Sequence, residues 1–162
     1  MPDLVKLTEI VAQGCIVPSL GSADRDAVIL ELVDALVAGG SAPAKIREEL
    51  AARVLDRERR GSTGFGRGVA VPHVKHKGVG SMAAAIGLST RGVDFNALDK
   101  QPVYSVVLLL SPEDRPEEHL QAMEVIFKNL SKDTFRRFLR QATSVAEVRT
   151  LLEEADGQQL PG

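Results

Sequence analysis

Residues 103–130 read VYSVVLLLSPEDRPEEHLQAMEVIFKNL. The run VVLLL at 106–110 is apolar at every position and lacks the alternation of a strand that keeps one face in water. It predicts a central strand from Val103 to Leu110, buried on both faces and closed by Ser111 and Pro112. The chain re-enters regular structure near Pro116, a residue suited to a first helical turn. Met123, Ile126, Phe127 and Leu130 then fall on one inward face. A strand covered on both sides needs a layer above and a layer below, and the rest of the chain must supply them.

Working outward, short apolar runs bounded by turn residues predict strands at Val69–Val71 and Ala83–Leu88. The segment SADRDAVILELVDALVAGG (22–40) spaces Ile29, Leu32, Val33, Leu36 and Val37 as one helical stripe and stops at Gly39 and Gly40. A second helix is predicted in SAPAKIREELAARVLDRERRG (41–61), with Pro43 near its start, Ile46, Leu50 and Val54 on its apolar stripe, and Gly61 at its end. Beyond residue 130 come a helical piece around Phe135, Phe138 and Leu139 and one opened by Ser144, with Glu147 three residues on as a capping box. Helix and strand interleave without internal repeat. The predicted fold class is therefore α/β: a single-domain sandwich of a mixed sheet flanked by helices, with residues 1–155 as the domain and 156–162 as a flexible tail.

Composition narrows the function classes. Twenty basic residues against 22 acidic ones give a formal charge of −2, and the sequence pI of about 5.9 supplies no basic field for a phosphate backbone, so no nucleic-acid partner is expected. Cys15 is the only cysteine, which excludes an internal disulfide and a cysteine-based zinc site. It reads as a small buried hydrophobe in a reducing compartment. No charged-then-apolar leader opens the sequence, and VVLLL is far too short to span a bilayer. The expectation is a cytoplasmic protein without membrane insertion.

The stretch GSTGFGRGVAVPH (61–73) invites phosphate-loop labels and fails them. Gly64, Gly66 and Gly68 are spaced G-x-G-x-G, which is not the dinucleotide fingerprint, and Arg67 and Gly68 stand where a P-loop requires Lys and Ser or Thr. The loop is instead suited to close backbone approach. At its end, Pro72 cannot donate to a sheet ladder, so strand pairing is expected to stop there and leave His73 at a strand's edge.

Two other polar residues sit on faces that should be apolar. His119 lies four residues before Met123 and seven before Ile126, in the first turn of the core-facing stripe. Arg57 is eleven residues after Ile46, near three whole turns, which points it along the apolar face of the second helix. Each has a plain explanation alone: a turn histidine, a satisfied buried histidine, an arginine complementing a helix dipole. Together, Arg57, His73 and His119 can converge on one anion, and a phosphoryl group fits. Neutral imidazole attacks phosphorus, while neighbouring positive groups hold it unprotonated and stabilise the transferred oxygens. The competing reading is a small metal-dependent enzyme with His73, His76 and His119 as ligands, although no carboxylate falls at a telling spacing.

LDRERRGSTGFGRGVAVPHVK (55–75), followed by YSVVLLLSPEDRPEEHLQAM (104–123), resembles the enzyme IIA domain of the fructose and mannitol class of the sugar phosphotransferase system, closest to its nitrogen-regulatory branch. The resemblance covers nearly the whole chain and implies a sheet of about five strands. It implies a phosphoryl carrier: His73 accepts from a histidine-containing phosphocarrier protein, with His119 supporting and Arg57 stabilising the phosphoryl group. Ser62, Thr63, Gly64, Gly66 and Gly68 of the same run are the implied binding residues. The implied onward partners are a IIB domain or regulatory targets such as a transporter or sensor kinase, and neither cofactor nor metal is expected. A sugar-specific IIA component is the alternative within the family. Val74 stands where relatives often have glycine, and Lys75, His76 and Lys77 add charge beside the site, suited to docking an acidic face.

Overall fold

The computed structural model describes residues 5–157. Its spine is an antiparallel pair, β5 (Ala83–Val93) and β6 (Val103–Pro112), with Ala83 opposite Leu110 and Leu88 opposite Ser105. Beyond β5 lies β1 (Ile16–Val17), parallel to it. On the other side of β6 lie β3 (Val69–Ala70) and β4 (His73–His76), both parallel to β6, and β2 (Gly64–Gly66) runs antiparallel to β3. The mixed sheet expected from sequence is present.

Val69 pairs with Ser105 and His73 with Leu109, so β3 and β4 hold one register and form a single lane interrupted at Pro72. Six strands thus occupy five lanes, in agreement with a sheet of about five. The expectation that pairing ends at Pro72 is corrected: it resumes at His73. β2 covers the outer edge of the lane only as far as Val71, whose N–H donates to Thr63 O at 3.2 Å. Pro72 faces β6, where its carbonyl accepts from Leu109 N at 3.0 Å, so its missing N–H leaves a one-position gap in the ladder that separates β3 from β4. Beyond Val71 no further strand among the described residues covers the outer edge.

The alternation of β6 divides the core. Val107 and Leu109 face one layer, made by α1 (Leu7–Ile10), α4 (Pro116–Leu130), α5 (Asp133–Gln141) and α6 (Val145–Asp156). Val106, Leu108 and Leu110 face α2 (Arg25–Ala38) and α3 (Arg47–Arg60). All five are buried, each stabilising the fold by about 2 kcal/mol before conformational entropy is subtracted. Ile29, Leu32, Val33 and Leu36 form the inner face of α2, and Cys15 is fully buried against the same layer. At Gly87 of β5, an added Cβ would lie 2.7 Å from Leu20 Cδ2 and 2.9 Å from Leu32 Cδ2, so the bare backbone lets α2 settle onto the sheet.

The capping signals also map onto structure. Gly39 and Gly40 end α2, and Ser144 Oγ accepts from Glu147 N at 3.1 Å at the start of α6. The second predicted helix opens as a 3₁₀ turn, Ala44–Ile46, before α3. The tail expected from 156 onward begins inside α6: the Asp156 carboxylate accepts from Leu7 N at 2.7 Å, Thr8 N at 3.0 Å and Thr8 Oγ1 at 2.6 Å, tying the two ends together. Residues 158–162 of that tail lie outside the described residues.

Candidate functional site

Strand parity positions the site. On the β3–β4 lane, Val69 and Val71 face the α4 layer, whereas Ala70 and Val74 face the α3 layer. His73 and Lys75 continue the first series and His76 the second. His73 therefore stands over the α4 side at the open edge, half-buried, beside Leu109 of β6. Its Nδ1 lies 2.9 Å from Val71 O. A carbonyl can only accept, so Nδ1 carries the proton and Nε2 keeps its lone pair.

His119 meets it from the first turn of α4. The rings are 5.7 Å apart between centroids and tilted by 54°. His119 is 6% exposed, and its Nδ1 lies 2.7 Å from the hydroxyl of Ser111, itself fully buried. Burial pushes its pKa down from 6.5 to about 4, assisted by the positive charge of Lys75 and by the neighbouring His73 ring, so the ring is neutral at physiological pH. The N-terminal end of α4, with the positive end of its dipole, adjoins the pair. The pairing of His73 with His119 expected from sequence is thus present. Ser111, which orients His119, had escaped sequence reading, although it closes the central strand eight residues upstream on the lane beside Lys75.

Arg57 lies elsewhere in its bonding. Its Nη1 donates to Gly61 O at 2.7 Å, and among the described residues it makes no hydrogen bond to either histidine. It is half-buried, while the residue that continues the Leu50–Val54 stripe into the core is Glu58, 2% exposed. Glu58 is four residues after Val54 and Arg57 only three, and this turn selects the former. Glu58 Oε1 accepts from Thr63 N at 2.8 Å and Oε2 from Thr63 Oγ1 at 2.7 Å. A relay of contacts follows: Glu58 fixes Thr63, Thr63 O receives Val71 N, and Val71 O holds the His73 ring. Sequence reading missed Glu58, whose signal was a carboxylate on a core-facing helical position.

The remaining loop residues have partners within the chain. Ser62 Oγ donates to Phe95 O at 3.0 Å and accepts from Gly64 N at 3.0 Å. Gly66 and Gly68 adopt φ of 115° and 78°, the left-handed region, and a Cβ at Gly68 would crowd Tyr104 Cδ2 at 3.2 Å. The glycines let the β2–β3 turn close against residues 97–104.

The metal alternative fails on parity. His76 lies three positions from His73, hence on the opposite face of the strand, where its Nε2 is 3.2 Å from Glu49 Oε2 on α3 without hydrogen-bond geometry. Its Nδ1 accepts from Gly78 N at 2.8 Å. Among the described residues no three His, Cys, Asp or Glu side chains are grouped to hold a metal ion. Among the same residues no helix is long and apolar enough to cross a membrane.

Residues 9–155 match the family described as "Phosphoenolpyruvate-dependent sugar phosphotransferase system, EIIA 2". A nitrogen regulatory protein of Pseudomonas aeruginosa is 33% identical over 156 residues, covering 96% of this chain and 100% of its own length. The fructose-specific EIIABC component of Bacillus subtilis is 31% identical over 152 residues; the match takes in 94% of this chain but 24% of that protein. The structure of nitrogen regulatory protein IIA-Ntr from Neisseria meningitidis superposes with a TM-score of 0.80 at 30% identity, covering 89% of this chain and 97% of its own. A complex of Escherichia coli enzyme IIAMTL with phosphorylated enzyme IIBMTL, at 24% identity and TM-score 0.74 over 88% of this chain and 96% of that one, shares the fold. The family match runs from α1 to the end of α6 and takes in both facing histidines, and the chain belongs to the EIIA type 2 family of the phosphoenolpyruvate-dependent sugar phosphotransferase system.

Proposed function

We propose that this chain carries a phosphoryl group on His73 Nε2 and acts as a regulator in a phosphoenolpyruvate-dependent phosphotransferase system. The observation that carries the reading is the Nδ1 contact with Val71 O, which leaves Nε2 unprotonated on a half-buried ring beside a neutral second histidine. The donor is a phosphohistidine on a histidine-containing phosphocarrier protein. Nε2 attacks phosphorus with its lone pair, the donor's N–P bond breaks, and the departing imidazole keeps that electron pair. As Nε2 forms its new bond the ring becomes positive, and the Nδ1–H bond to Val71 O spreads that charge.

His119 acts as a neutral donor: the Ser111 hydroxyl donates to Nδ1, leaving Nε2–H for a phosphoryl oxygen. Arg57 uses one of its five N–H donors on Gly61 and has others for the phosphoryl oxygens. Lys75, exposed on the same strand face as His73, adds positive potential. Of the implied binding residues, Ser62, Thr63 and Gly64 frame the approach of the donor, while Gly66 and Gly68 shape the β2–β3 turn against Asp99 and Tyr104. Onward partners are a IIB domain or a regulated transporter or sensor kinase. Full-length similarity to a nitrogen regulatory protein supports the regulatory role; similarity to a fructose-specific component supports a sugar-specific carrier as the second reading.

Incubation with phosphoenolpyruvate and the general phosphotransferase proteins tests this. The wild type is expected to gain acid-labile phosphate and His73→Ala to gain none. Undiminished labelling of His73→Ala overturns the assignment.

A further inference from the structure

At the start of β6, remote from His73, a cleft of about 770 Å³ opens between the β2–β3 turn and α5. Tyr104 and Ser105 form part of its floor, and His73 pairs with Leu109 five residues further along, roughly 17 Å away at strand rise. Four guanidinium groups line it: Arg67 from the turn, and Arg136, Arg137 and Arg140 from α5. Two carboxylates line it as well, and both are engaged. Asp99 accepts from Arg67 N at 3.1 Å and Gln101 N at 3.0 Å, capping the loop. Asp133 bonds Arg136 Nη2 at 3.2 Å.

Arg67, Arg137 and Arg140 form no ion pair among the described residues, although Arg25, Arg47, Arg53, Arg60, Arg115 and Arg136 each do. Arg140 instead lies over the Tyr104 ring at 3.6 Å from its centroid, which fixes its plane at the cleft wall. Arg67 sits at φ 61°, a left-handed conformation that arginine seldom adopts, between two glycines that also have positive φ. A residue that resists this conformation presents its guanidinium to the cleft, where asparagine or glycine would have suited the backbone better. Cations on two opposed walls match a ligand with an anionic group at each end. Planar guanidinium groups with free N–H pairs select phosphate oxygens in bidentate fashion, and the volume is that of a metabolite pocket.

We propose that this cleft binds a small bisphosphorylated metabolite, at a site separate from the phosphoryl-accepting histidine. Calorimetric titration of the full chain with inorganic pyrophosphate and with fructose 1,6-bisphosphate, with citrate as a carboxylate control, tests it. One saturable site per chain is expected for at least one phosphate probe. Its affinity should fall at least tenfold in Arg67→Asn and in Arg140→Gln, fall with added salt, and stay unchanged in His73→Ala. Arg67→Asn keeps a residue suited to positive φ, so a fold defect does not obscure the result; circular dichroism confirms it. No saturation by either phosphate probe at 10 mM, citrate binding in preference to both, or equal affinity in Arg67→Asn overturns the proposal. Because His73→Ala retains this site, failure here is distinct from failure of phosphoryl transfer.

Discussion

Replacing Glu58 by alanine should be far more damaging than its place in the polar sequence LDRERRG suggests. The carboxylate is 2% exposed and accepts two hydrogen bonds, from Thr63 N and Thr63 Oγ1. Hydrogen bonds to a carboxylate contribute about 1.5–3 kcal/mol each, and their loss leaves two donors buried without partners. The expected cost is about 3–5 kcal/mol, which for a chain of this length lowers Tm by roughly 10 °C. Glu58→Gln retains one acceptor and the side-chain volume, and should cost about 1–2 kcal/mol. Urea unfolding with an unchanged m-value measures both. The functional effect travels through Thr63 and Val71: with the loop loosened, the Val71 carbonyl no longer holds His73 Nδ1, and phosphoryl acceptance should slow even under conditions where Glu58→Ala is folded. A loss below about 1 kcal/mol in Glu58→Ala, with transfer at the wild-type rate, would refute the relay.

His119 gives a pH signature. The unfolded chain protonates it near 6.5 and the folded one only near 4, so the unfolded state binds more protons between those values and stability falls as pH drops from 6.5 towards 4. The full difference corresponds to about 3 kcal/mol, and solvent reaching the site reduces it to roughly 1–2. Urea melts across this range should lose that slope in His119→Gln, and an unchanged slope contradicts the assignment. Arg57→Ala removes one hydrogen bond to Gly61 O and should cost about 1 kcal/mol while slowing transfer; single-turnover labelling at the wild-type rate excludes Arg57 from phosphoryl stabilisation. Gly87→Ala drives a Cβ into Leu20 and Leu32 and should cost about 1–3 kcal/mol, with transfer intact in the folded fraction. A neutral thermal melt would show that α2 can retreat from the sheet.

Much of the architecture was legible because it rests on local pattern. VVLLL announced β6 through the absence of alternation, and the stripes of α2 and α4 were regular enough to place their inner faces. The apolar run at Val69–Val71 marked β3, but the two-residue β1 and the three-residue β2 carry too little pattern to be told from loop, and pairing of β4 with β6 is a long-range choice. His73 and His119 stood out as polar groups at an edge and on a core face. Helical phase was less forgiving: counting eleven residues from Ile46 put Arg57 inward, but Ile46 belongs to the 3₁₀ turn before α3 and does not set its phase, and Glu58 continues the Leu50–Val54 stripe instead. Parity, by contrast, was available from sequence once β4 was known, and it separates His76 from the other two histidines.

The central claim concerns one nitrogen atom. Phosphorus NMR of the protein labelled from phosphoenolpyruvate through the general phosphotransferase proteins, followed by alkaline hydrolysis to phosphoamino acids, distinguishes the two phosphohistidine isomers and, with peptide mapping, the residue. The account predicts phosphate on Nε2 of His73, because Nδ1 is held by Val71 O. Phosphate on Nδ1, or on His119, would contradict it.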